Sequence, residues 1–190
     1  NHPAPGVGYD EAGQPNGELR EPAAMALARD EFRLLGRVVF APETLDGFGQ
    51  TMRNAGITTA TDLGNAFHAN EEIMRNVYEK TEKDSFPVRL ASVPRIMGGP
   101  EGMDEMLRRV LSSRLKTHDK MHIPVVKMVL DGSIQGFTAV INWPGYITGE
   151  DHGLFLFPPE QVIDFLRPFH QAGIGIHCHC NGSTTSGVFI

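Results

Sequence analysis

From residue 57 onward the apolar positions alternate between short β-branched runs and longer amphipathic stretches. ITTATDL (57–63), PVRLASV (87–93), IPVVKMVLDG (123–132) and IGIHCHC (174–180) are rich in Ile, Val and Thr, with glycine or proline close by, a pattern that predicts strands. Residues 66–82, 101–116 and 159–172 lie between them and predict helices, the last stopped by Gly173. The order βαβαβαβ implies parallel strands with covering helices. Upstream, 21–35 is rich in Ala, Leu and Met with Pro22 well placed for a helix start, and 43–55 ends at Gly56; both predict helices. Residues 1–20 carry Pro3, Pro5 and Pro15 among four glycines, which is hairpin or loop chemistry with a tight turn in DEAGQPNGEL.

The strand starts at 57, 87, 123 and 174 are separated by 30, 36 and 51 residues. The longest interval holds an insertion, residues 134–153, directly after the C-terminal end of a strand. In a (β/α)8 barrel that position is the active-site rim, and four β/α units are about half of a barrel that typically needs ~250 residues. A small open doubly wound sheet also accommodates four strands, but no Gly-rich nucleotide fingerprint follows any of them. The expected fold class is therefore α/β: a partial (β/α)8 TIM barrel of about four units with parallel strands, plus an N-terminal loop and helical insertion. Residues 1–56 are expected to be the insertion and leading helices, 57–182 the central units, and 183–190 a divergent tail.

Composition narrows the partners more than the chemistry. Apolar residues make up 41% and charged residues 21% of the 190, ordinary for a globular protein. A net charge of −6 argues against nucleic acid or an anionic membrane as a general partner, since both need basic surface. No apolar run approaches the ~20 residues that span a bilayer. The opening is not a signal peptide, and a chain beginning at Asn1 is expected to lack its true N-terminus. Both cysteines, Cys178 and Cys180, lie on one face of one strand, so no disulfide framework exists and a cytoplasmic location is expected.

Three groups of residues can carry chemistry. Lys127 sits within an apolar strand, where an ammonium is costly unless it is paired or neutral. A neutral strand lysine can form a Schiff base with a carbonyl substrate, or take up CO2 as a carbamate able to bridge metals. It can also simply pair with Asp131 or snorkel at the strand end. His177 and His179 share a face, so an H-x-H on a strand can present two imidazoles to one metal. The intervening cysteines face the other way and are expected to be buried wall residues. Asp131, Ser133 and Gln135 follow Lys127 at the strand end, within reach of a ligand. Trp143, Tyr146 and Phe155 in or near the insertion can line an apolar pocket or pack the loop. Asp62 and Arg89 are further polar strand residues, for which structural roles are expected.

The segments VKMVLDGSIQGFTA (126–139) and GIGIHCHCNG (173–182) together resemble the YtcJ-like, family-3 branch of the metal-dependent amidohydrolases. PGVGYDEAGQPNGELREPA (5–23) and AGITTATDLG (55–64) resemble other segments of that branch, in the right order. The resemblance implies a barrel hydrolase with one or two divalent metals, usually zinc, acting on amide-type C–N bonds other than peptide bonds. Metal-activated water would attack a carbonyl of a small-molecule substrate. It implies Lys127 and His179 as metal ligands, with Lys127 carboxylated, and leaves His177, Asp131, Ser133 and Gln135 as supporting or substrate groups. The pattern also departs. The first-strand H-x-H, a later histidine and the late aspartate that would be the general base have no counterpart, and Ser183 stands where an acidic residue is usual. The expectation is an internal fragment holding part of a site, stable only in a larger assembly or a homo-oligomer. A Schiff-base lyase using Lys127, or an inactive fragment or assembly partner, are the alternatives.

Overall fold

The Gly/Pro-rich opening closes into a hairpin. In the computed structural model, which describes residues 6–65, 70–97, 99–149 and 153–189, β1 (Val7–Tyr9) and β2 (Pro15–Leu19) pair antiparallel. Asp10 makes the turn: its Oδ1 accepts from the N–H groups of Ala12 and Gln14 at 3.0 and 2.8 Å, and Gly13 supplies a positive φ of 75°. The helix expected over 21–35 is broken into α1 (Glu21–Met25), a 3-10 turn at Ala26–Ala28, and α2 (Arg29–Val39). Compact units divide at Asn1–Val38 and Val39–Ile190. Leu45 of α3 (Pro42–Asn54) is buried with Ile73, Met74, Val77 and Leu90 in the core of the second unit.

The second unit alternates as the periodicity predicts. β3 (Thr59–Asn65) is followed by α4 (Glu71–Glu82), whose N-terminus is capped by Asn70 Oδ1 accepting from Glu72 and Ile73 N–H. β4 (Arg89–Pro94) and α5 (Met103–Arg114) follow, then a two-residue strand that the pattern did not reveal, β5 (Met121–His122). β6 (Val125–Val129) precedes the long insertion, which forms turns rather than regular elements among its described residues. α6 (Val162–Gln171) enters through a 3-10 turn at Pro159–Gln161, β7 (Gly175–His179) returns, and α7 (Ser183–Phe189) ends the described chain. Within α7, Thr185 is fully buried.

The strands β3 to β7 pair with one another in parallel, and the isolated bridges His118–Met121 and Asp131–Phe155 are antiparallel. β3 pairs with β4 and β4 with β5, while β6 pairs with β7. A single parallel bridge between Arg95 and Lys127, with Ile96 N–H donating to the Lys127 carbonyl at 2.7 Å, continues β4 alongside β6. The spatial order β3, β4, β6, β7 makes this an α/β structure with parallel sheets. Among the described residues the outer edges of β3 and β7 meet no further strand.

Alternation then assigns the two faces. Val126, Met128 and Leu130 of the β6 segment are buried against Val162, Phe165 and Phe169 of α6 and Met103 and Val110 of α5. Ile176, Cys178 and Cys180 pack on the same cluster. The cysteines are wall residues facing the helices, which leaves Lys127, His177 and His179 on the opposite face. Phe169 is the largest fully buried side chain in this layer. Phe169→Ala should lower unfolding free energy by about 3–5 kcal/mol, measured by urea denaturation followed by far-UV circular dichroism.

Candidate functional site

Register brings the strand lysine and the histidines together. In the β6–β7 ladder Lys127 lies opposite His177, and Val129 opposite His179. The immediate neighbour of Lys127 is therefore His177, not His179, which stands one pair further toward the strand ends. On the other side Lys127 is bridged to Arg95. Partners in a parallel ladder share a face, so Arg95, Lys127 and His177 form one row across three adjacent strands. The lysine stem lies over β3, with its Cγ, Cδ and Cε at 3.4–3.8 Å from where a side chain at Gly64 would begin. Gly64 also has φ +100°, which a larger residue adopts only with strain.

Lys127 is 6% exposed, and among the described residues its ammonium has no hydrogen-bond or ion-pair partner. The expected alternative of a Lys127–Asp131 pair is not what forms, because Asp131 is engaged elsewhere. Burial first, and the adjacent Arg95 guanidinium second, push the Lys127 amine below its ordinary value. Burial pushes the Cys178 thiol up to about 11, with Cys180 adding to the effect. The thiol packs among the apolar side chains of α5 and α6, on the face away from Lys127 and the histidines.

Asp131 is the strongest polar feature of the site. It is 1% exposed, and its Oδ2 accepts from Val140 N–H at 3.1 Å, Gly182 N–H at 2.8 Å and the Thr185 hydroxyl at 2.8 Å. Its Oδ1 accepts from Asn181 N–H at 2.9 Å. Burial alone would raise its pKa, but these donors outweigh burial and hold the carboxyl below its usual range. The Asn181 amide also donates to the Gly132 carbonyl at 2.7 Å, and Leu130 N–H to the His179 carbonyl at 3.0 Å. The C-terminal ends of β6 and β7 are thereby tied to each other, to the insertion and to α7. Gly182 is required at this junction, since a Cβ there would collide with the Val140 carbonyl.

The remaining sequence candidates separate. Ser133 builds a turn, its hydroxyl accepting from Gly136 N–H at 3.1 Å while Thr138 N–H donates to its carbonyl at 3.0 Å. Gln135 is exposed. Asp62 lies in register with Ser92, on the helix-facing side of the sheet, and burial pushes its pKa up. Arg89 is exposed rather than a buried ion-pair partner. Tyr146 packs the insertion: it stacks edge-on to Phe137 at 5.2 Å and donates to the Ala139 carbonyl at 3.1 Å. Trp143 instead stands 94% exposed, next to Asn142, whose N–H donates to the Ser183 hydroxyl and whose side chain accepts from Thr184. A cavity of about 670 Å³ between α4 and α5, lined in part by Arg75, Tyr78, Glu79, Arg109 and His118, includes none of these candidates. His68 and His152 lie outside the described residues.

Arg95 was invisible to sequence reasoning, because the predicted strand stopped at residue 93. Its only signal was a basic residue immediately beyond a strand's C-terminal end. As a metal site the set is incomplete: among the described residues no group of three His, Cys, Asp or Glu side chains can hold an ion. Two imidazoles and a lysine amine face the same way, with a guanidinium beside them.

No family model matches the sequence, and no curated protein does. Two solved structures share the fold. One is an uncharacterized metal-dependent hydrolase from Pyrococcus horikoshii, with a TM-score of 0.66 and 16% identity, matched over 98% of this chain and 36% of that one. The other is an uncharacterized metal-dependent hydrolase from Pyrococcus furiosus, with a TM-score of 0.63 and 14% identity, over 100% of this chain and 37% of that one. The chain thus spans little more than a third of the structures it matches. Among the described residues no helix is long and apolar enough to cross a membrane.

Asp131→Ala should lower stability by about 3 kcal/mol or more, because four donors lose a buried acceptor. Since the folded pKa is depressed, the contribution of Asp131 is present above the unfolded value of about 3.9 and is lost as pH falls through the folded value. Urea midpoints taken between about pH 6 and about pH 3 should therefore drop further for the native chain than for Asp131→Asn.

Proposed function

We propose that this chain carries part of the active centre of a metal-dependent hydrolase that cleaves amide-type C–N bonds other than peptide bonds. In this reading the parallel unit is part of a (β/α)8 barrel of the YtcJ-like, family-3 amidohydrolase branch. The observation that carries it is the placement of Lys127, His177 and His179 on one face of two adjacent parallel strands, with His179 at the C-terminal end of β7, the end of a sheet where parallel α/β proteins bind ligands. Likeness of fold to two metal-dependent hydrolases supports the same class.

His179, with Lys127 as a carbamate, would hold a divalent metal, and zinc suits the imidazole. When bound, such an ion supplies hydroxide at neutral pH and polarises a carbonyl. The chain's own residues do the rest. Burial favours the neutral form of the Lys127 amine, the state that reacts with CO2. The Asp131 knot fixes the strand ends from which the imidazoles project, and helix packing behind β6 and β7 keeps water from that side. A catalytic zinc normally takes three protein ligands, so the isolated chain should hold it weakly. Zinc retained after dialysis should be well below one per chain and lower still in His179→Ala. Tight, stoichiometric zinc indifferent to both His179→Ala and Lys127→Met would rule this assignment out.

A Schiff-base lyase is the second reading, favoured by the depressed amine of Lys127. Borohydride trapping of a carbonyl compound on Lys127, together with activity that survives chelation, would establish it in place of the hydrolase.

A further inference from the structure

Two asparagines stand directly before glycine, Asn16–Gly17 in the hairpin and Asn181–Gly182 after β7. In such a pair the glycine nitrogen can attack the preceding side-chain amide, because no Cβ obstructs its approach. The two pairs sit in opposite surroundings. Asn16 and Gly17 are both exposed, and beyond its chain neighbours no atom lies within 4 Å of where a Cβ on Gly17 would stand. Asn16 Oδ1 accepts from Glu18 N–H at 3.0 Å. The ring closed by that bond includes the Gly17 nitrogen, and the donor polarises the side-chain carbonyl toward attack. Asn181 is held at each atom the same reaction uses. Its Nδ2, the nitrogen that would leave, donates to the Gly132 carbonyl at 2.7 Å. The nitrogen that would attack belongs to Gly182, which is buried, and it donates to Asp131 Oδ2 at 2.8 Å. The Gly182 carbonyl accepts from the N–H and the hydroxyl of Ser186, each at 3.0 Å. Attack would require Gly182 N to shed its proton beside a carboxylate that its donors keep ionised.

We propose that Asn16 is a site of spontaneous modification to aspartate and isoaspartate, and that the Asp131 knot protects Asn181 from the same reaction. Gly17 N bonds to Asn16 Cγ and gives up its proton, while the Cγ–Nδ2 bond breaks and ammonia leaves. Water then adds to either carbonyl of the cyclic imide. Opening on one side gives aspartate with the original backbone. Opening on the other gives isoaspartate, whose backbone runs through the side chain and is one methylene longer. The first product adds a negative charge to the hairpin. The second shifts every residue after position 16 against β1, where Leu19 pairs with Val7. At Asn181 the same change would set a second carboxylate next to Asp131, in the turn that follows His179. The reaction therefore alters the hairpin and spares the end of the sheet that carries the candidate site.

The test incubates the full chain in mildly alkaline buffer, native and in urea. Peptide mass follows conversion of amide to acid, and enzymatic methyl labelling follows isoaspartate. In the native chain Asn16 should convert at least ten-fold faster than Asn181, and in urea the two rates should converge. Gly17→Ala should slow conversion at Asn16 ten-fold or more and leave Asn181 unchanged. Asp131→Asn with unchanged circular dichroism should speed conversion at Asn181 ten-fold or more. If that variant unfolds, deuterium exchange of the native chain decides instead, with the Gly182 amide at least ten-fold slower than the Gly17 amide. Equal conversion of the two asparagines in the native chain overturns the proposal. So does an Asn16 that converts only in urea, or a Gly182 amide that exchanges as fast as that of Gly17.

Discussion

A single buried carboxylate organises the end of the sheet on which the candidate chemistry stands. Asp131 collects hydrogen bonds from the insertion, from the turn after β7 and from the first turns of α7. An ionised group in that position is tolerated because four donors reach the carboxylate, one at Oδ1 and three at Oδ2, and those donors come from segments far apart in the chain. The consequence is geometric. β6 and β7 are hydrogen-bonded along their length, and the knot ties their ends to the turns above them. The close approach of Gly182 to the Val140 carbonyl is the steric side of the same arrangement.

Around that knot the sheet divides by alternation into an oily face and a polar one. Methionine, valine and the two cysteines pack on α5 and α6, and this layer supplies the folding energy. The polar face gathers Arg95, Lys127 and the histidines, groups that contribute little to stability and carry all the candidate chemistry.

The strands, helices and two-faced character of β6 and β7 were legible because period-2 and period-3.6 patterns are strong where one face is buried. Placement of the cysteines toward the helices followed from the same alternation. Register was not legible: nothing in the sequence specifies that Lys127 meets His177 rather than His179. Asp131 could be picked out as polar at a strand end, but three of its four partners are backbone N–H groups, which leave no trace in residue identity. Arg95 fell beyond the predicted end of its strand, and one bridge to β6 was enough to make it central. The helix at 183–189 was missed because STTSGVF has poor intrinsic helix propensity. Tertiary anchoring of Thr185 on Asp131, and of Ser183 and Thr184 on Asn142, overrides that weakness.

Trp143 is the chain's single tryptophan and already stands in water in the folded state. The indole is therefore a poor witness to unfolding, since denaturation changes its surroundings little. It is a sensitive witness to anything that covers the insertion above β6 and β7, whether a bound molecule or another polypeptide. A shift of its emission toward shorter wavelength in the native protein would register occupancy of that rim without any label.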